Sequence, residues 1–140
     1  MTNPVPGTPD PVTRRQERRI RASAYATFAY AAFQLWVLGR HGGEWTWSLS
    51  TVPYVAVSLA AAVAMWRGSL AAAWLAGFVG AWDVWNALYM LVATLTGKAA
   101  EMGWGPGIVF SYWIIGIFGV FWLRGGIAAL RLALARQRAA

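Results

Sequence analysis

Four long apolar runs, separated by short polar breaks, leave this chain few ways to fold. They cover residues 22–39, 49–66, 70–96 and 107–123. Each reaches the ~17–25 residues that cross ~30 Å of hydrocarbon. The third, at 27 residues, exceeds that need; a rise of about 1.5 Å per residue makes it roughly 40 Å long, so it must tilt or protrude. A bilayer core offers no water to backbone amides, so helix is the state such runs adopt. The sequence therefore predicts an all-α membrane protein, a four-helix transmembrane bundle.

Composition agrees. Only 12% of the 140 residues are charged and 59% are hydrophobic, against about 25% charged in an ordinary soluble domain. With no cysteine, disulfides, thiolate metal sites and thiol redox chemistry are excluded. The one histidine, His41, and the one lysine, Lys98, lie between the apolar runs, which argues against a buried haem, metal centre or Schiff base. No cofactor and no metal are expected. The net charge of +7 could suggest nucleic acid, but its distribution does not. Five of the eleven arginines lie at positions 14–21, one at 67 and four at 124–138. Clusters flanking apolar runs fit the charge bias of membrane proteins, so membrane lipids and other membrane proteins are the expected partners.

The chain divides accordingly. Residues 1–13 hold four of the six prolines and read as a disordered Pro-rich tail. The bundle occupies 14–124, opening on "RRQERRIR", which extends the first helix. That cluster serves either topology control or contact with an anionic lipid or partner. Residues 125–140 are a basic helical extension that continues the fourth helix or lies on the membrane surface. Between runs two and three, Gly68 suits a helix end and Ser69 a helix start. Pro53 falls in the first turn of run two, where a missing amide hydrogen costs little. The tail flank, the 67–69 hairpin and the C-terminal segment hold ten arginines, against one arginine and one lysine in the two opposite loops. That asymmetry predicts both termini in the cytoplasm.

Helices in lipid associate by close packing, for which small residues are the usual sign. Ala56, Ala60 and Ala64 on run two face two rows on run three: Ala73, Gly77, Ala81 and Ala72, Ala76, Gly80. They predict that helices two and three pack across their hairpin, with Gly116 and Gly119 available on run four. Of the ten tryptophans, Trp36, Trp45, Trp47, Trp66, Trp74, Trp104 and Trp122 fall near the ends of runs and read as interfacial belts. Trp82, Trp85 and Trp113 lie deeper, as core packing or as the lining of a cavity.

The stretch "GAWDVWNALYM" puts Asp83 at position 14 of the third run. A carboxylate there costs ~2.5–3.5 kcal/mol on insertion scales, and no run carries a cation at that depth. Asp83 must be protonated, hydrogen-bonded, hydrated or paired with another molecule. Asn86 lies one turn along. Tyr30 and Gln34, Tyr54 and Ser58, and Ser111 and Tyr112 fall within about two turns of its depth, counting from the inner ends of their runs. Such a layer is either a hydrogen-bonded lock that fixes helix register or a site for a proton, cation or ligand built on Asp83, Asn86, Trp82, Trp85, Tyr30, Gln34, Tyr54 and Tyr112. A third arrangement turns Asp83 toward a partner subunit.

No G-x-S-x-G, H-E-x-x-H or phosphate-cradling loop occurs, so no catalytic residue is assigned and an enzyme is not expected, although acid chemistry on a lipid is compatible with a lone carboxylate. Abundant alanine, arginine and tryptophan with a single lysine suit a GC-rich bacterial genome. The expectation is a multi-pass inner-membrane protein, a non-catalytic accessory or assembly subunit or a homo-oligomer. The alternative is a membrane-embedded binding or transport module centred on Asp83.

Overall fold

A computed structural model describes residues 11–40 and 45–139, excepting the side chains at 37, 38, 40, 45–51, 54 and 139. The tail up to residue 10, His41 and the side chains of Trp45, Trp47 and Tyr54 lie outside the described residues. The protein is all-helical, with no strand among the described residues. Five helices follow in order among the described residues: α1 (Pro11–Arg40), α2 (Trp45–Trp66), α3 (Leu70–Leu95), α4 (Lys98–Glu101) and α5 (Pro106–Ala139). Two of them, α3 and α5, are long and apolar enough to cross a membrane, and α2 contains a shorter apolar stretch, Val55–Trp66.

The punctuation follows local chemistry. Both α1 and α5 open on a proline, whose fixed φ suits a first turn and whose missing N–H would go unpaired there anyway. The basic cluster at 14–21 lies within α1, whose first turn also takes in residues 11–13. Glycine ends α2: Gly68 adopts φ +86°, while its amide donates to the Met65 carbonyl and that of Ser69 to the Ala64 carbonyl. That pair of bonds satisfies carbonyls the helix would leave open. Ser69 then caps α3, accepting from the Ala72 amide at 3.3 Å. Because α2 starts at Trp45, Pro53 sits well inside it rather than in its first turn, and one amide of the helix ladder is missing there. The 34 residues of α5 run without a break, so the basic C-terminal extension continues the helix.

Packing departs from the sequence expectation. The small face of α3 meets α5, not α2. A Cβ on Gly77 would lie 2.6 Å from the Gly126 Cα, one on Gly80 2.5 Å from the Gly119 carbonyl oxygen, and one on Gly116 would overlap Ala87. The two helices run antiparallel in direct backbone contact. Small residues permit that approach, and α5 carries glycine at 116, 119 and 126 where α2 carries alanine at 56, 60 and 64, so backbone comes closer on α5. α2 touches α3 far less than α5 does, and Ala56 and Ala60 are exposed.

The other side of α5 receives α1, and α1 in turn packs on α2. Ser23 lies where a Cβ on Gly125 would fall. A core of Ile20, Ala24, Met65, Ala73, Ala128, Ala129 and Leu132 joins all four long helices. The arginine segments 14–21, 67 and 124–138 meet at this same end. Toward the opposite end the helix pairs share fewer buried residues.

Candidate functional site

The inward faces of α1 and α3 meet α5 on two different sides, and this decides what the polar residues can do together. Asp83 lies on the α3 side. Its Cβ is 3.0 Å from the position a Cβ on Gly119 would take, and it continues the row of Ala72 and Ala76, which pack against the core. The side chain is half-buried. Its carboxylate has no hydrogen-bond or ion-pair partner among the described residues.

Its neighbours in sequence do not supply one. Asn86 donates to the carbonyl of Trp82 one turn back, at 2.9 Å. Such back-bonding satisfies the amide within its own helix. Trp82 and Trp85 are 64% and 65% exposed. They are neither core residues nor the walls of an enclosed cavity, since their positions on α3 point away from α5. Trp113, 46% exposed, lines with Trp104 an open groove of about 540 Å³ beside α4.

The α1 side of α5 holds a separate polar seam. The Trp122 Nε1–H donates to Thr27 Oγ1 at 2.8 Å, and Thr27 donates to the Ser23 carbonyl at 2.8 Å. The Ser23 hydroxyl faces the Met65 sulfur at 3.7 Å. Further along, Gln34 donates to the Tyr30 hydroxyl at 2.7 Å. The buried Tyr30 ring makes edge contacts with Phe118 and Trp122, at centroid distances of 5.1 and 5.2 Å. Trp122 is thus a core residue, 4% exposed, and not part of an interfacial belt. Its indole turns inward because Thr27 offers an acceptor there.

Of the residues the sequence places around Asp83, the structure therefore gathers Tyr30 and Gln34 into another group. Ser111 donates to its own helix at the Gly107 carbonyl, Tyr112 and Ser58 are partly buried on their helices, and the Tyr54 side chain lies outside the described residues. The seam has a signal that sequence reading passed over: Ser23, Thr27, Tyr30 and Gln34 recur at spacings of four, three and four, which is one helical face.

Among the described residues, no three His, Cys, Asp or Glu side chains come together as a metal site would require. Compared with known protein families, curated proteins and solved structures, the chain has no match. What the geometry offers is a half-buried carboxylate at the α3–α5 contact without a partner among the described residues, on a helix whose opposite face exposes Trp82 and Trp85.

Proposed function

We propose that this chain is a multi-pass membrane protein that works as a non-catalytic assembly subunit or homo-oligomer. In this reading the four long helices cross a bacterial inner membrane with both termini cytoplasmic. Asp83 and the uncovered surfaces of α2 and α3 bind another membrane chain, or a second copy of this one.

The observation that carries the reading is the Asp83 carboxylate, left without a partner by every described residue. An ionisable group in apolar surroundings needs a donor, water or a counter-charge. Three features support a protein as its source. The small residues Ala56 and Ala60 are exposed on α2, where close helix contact would use them. Phe78, Trp82 and Trp85 are 71%, 64% and 65% exposed on α3, which suits a bilayer or a partner helix. Among the described residues, Gln34 bonds to Tyr30 and not to Asp83. Membrane placement itself is supported by the spans of α3 and α5, in each of which only 17% of the most apolar stretch is buried, the reverse of a soluble core helix. Orientation is supported by ten arginines in three segments that come together at one end.

Native mass spectrometry after gentle detergent extraction tests this. The wild-type chain is expected to travel with other subunits or with copies of itself. Asp83→Leu should release it as a monomer with unchanged helix content, while Asp83→Asn, which keeps hydrogen bonding, should retain most of the assembly. A monomeric wild type carrying a small molecule that Asp83→Asn loses would replace this reading with the binding-module alternative.

A further inference from the structure

Four arginines from two distant segments share one cleft. Arg15, Arg18 and Arg19 of α1 and Arg124 of α5 line an opening of about 230 Å³ whose inner wall is Ala22 and Phe121, a volume equal to about eight liquid waters. Topology control requires basic residues on the flank of a span. It does not require residues more than a hundred positions apart to be brought together against their mutual repulsion. No acidic residue lines the cleft. Glu17, the only carboxylate on α1, lines a different cavity with Arg21, Arg67 and Arg136. None of the four cleft arginines has an ion pair among the described residues. The crowding is felt at Arg19, whose guanidinium lies below the ordinary arginine range, first through desolvation and then through repulsion from Arg15, Arg124 and Arg131.

Resting on the membrane reading above, we infer that this cleft binds a phosphate group, that of an anionic phospholipid headgroup. Guanidinium forks match phosphate oxygens, and several converging on one group provide orientation as well as charge. The lower wall selects the source. Phe121 and, one turn further from the arginines, Ile117 are 43% and 61% exposed. They continue the cleft as an apolar track along α5, where an acyl chain can lie. A free phosphoester or a nucleic acid has nothing to place on that track. Basic pockets between helices at a membrane boundary are suited to such headgroups.

The test uses the full chain in neutral detergent, titrated with phosphatidylglycerol, phosphatidylcholine, inorganic phosphate or a short DNA duplex, with retained adducts read by native mass spectrometry. Phosphatidylglycerol should be retained in preference to phosphatidylcholine. Arg19→Gln and Arg124→Gln should each lower its retention about tenfold, the loss of one charge-assisted contact. Arg138→Gln, outside the cleft, should leave retention unchanged. Circular dichroism checks each variant's fold, and the exposed Arg18→Gln serves if either of the others fails to fold. Inorganic phosphate that displaces phosphatidylglycerol at equal concentration supports the phosphate site and overturns the lipid assignment, as does a DNA duplex that binds more tightly than the lipid. Equal loss in Arg138→Gln and the cleft variants overturns the site. Flotation with pure phosphatidylcholine vesicles after an alkaline wash examines membrane insertion separately. A chain that floats yet shows no lipid preference sinks the site alone. A chain that does not float sinks the membrane reading, and inorganic phosphate binding by wild type against Arg124→Gln then decides the cleft.

Discussion

Adding one methyl group at Gly80 should loosen the protein measurably. The Cβ of Gly80→Ala would lie 2.5 Å from the Gly119 carbonyl oxygen, 2.7 Å from the Leu123 amide nitrogen and 2.7 Å from the Trp122 Cβ. Two of those atoms are backbone, so no side-chain rotation relieves the overlap. Restoring ordinary contact at ~3.5 Å moves α3 and α5 apart by about 1 Å. That movement also opens the Gly77–Gly126 and Ala87–Gly116 contacts along the same face. Overpacking of this kind costs about 1–3 kcal/mol, and the better helix propensity of alanine returns up to about 1 kcal/mol. Against a glycine-to-alanine change that meets no atom, which shares the propensity gain, the expected loss is the full overpacking cost of about 1–3 kcal/mol, a shift of roughly 5–150-fold in the folded-to-unfolded ratio. Unfolding in mixed micelles with increasing dodecyl sulfate, followed by circular dichroism, measures it. Gly107→Ala is the control, because no atom lies within 4 Å of its added Cβ. If Gly80→Ala proves as stable as Gly107→Ala, α3 and α5 do not touch through backbone and the central contact of the fold is wrong.

Other expectations concern the polar seam and the topology. Trp122→Phe removes the donor to Thr27 and should cost about 1 kcal/mol, whereas Thr27→Val strands a buried indole N–H and should cost about 1–3 kcal/mol. The double variant should lose less than the sum, and strict additivity in the same unfolding assay would show that the two side chains do not interact. For orientation, Gln137→Cys in intact cells should resist an impermeant thiol reagent while Ala100→Cys is labelled; the opposite pattern inverts the topology.

Much of the architecture is legible in the chain itself, for identifiable reasons. Helices are announced by uninterrupted apolar runs, and the turn between α2 and α3 by Gly68 and Ser69, whose backbone and side-chain chemistry is local. Which helices pair is another matter. Small-residue rows occur on α2, α3 and α5, and nothing within a row states which other row it meets. Chain proximity favours α2 with α3, yet the glycines at 116, 119 and 126 allow α5 a closer approach. Depth along a run likewise gives a layer without a direction. Asp83 and Tyr30 share a level, but α5 stands between them, and only the azimuth of each helix reveals it. Trp122 shows the same limit. Its position near the end of a run resembles an interfacial anchor, while Thr27, nearly a hundred residues away, draws the indole inward. The exposure of Trp82 and Trp85 follows from azimuth as well, since the α5-facing side of α3 is set by Gly77 and Gly80.

The central place of α5 has a consequence for how the chain is made. α3 precedes it, and the helix on which α3 packs most extensively among the described residues is not yet synthesised. At elongation rates of roughly 5–20 residues per second, the 34 residues of α5 take roughly 2–7 s. Over that interval α1 and α2 can already pair, but the face of Gly77 and Gly80 stays uncovered, and in the membrane reading proposed above α3 is held only by the apolarity of its own residues. Substitutions that make α3 less apolar therefore act before any bundle exists, and they should reduce yield even where the finished protein would tolerate them.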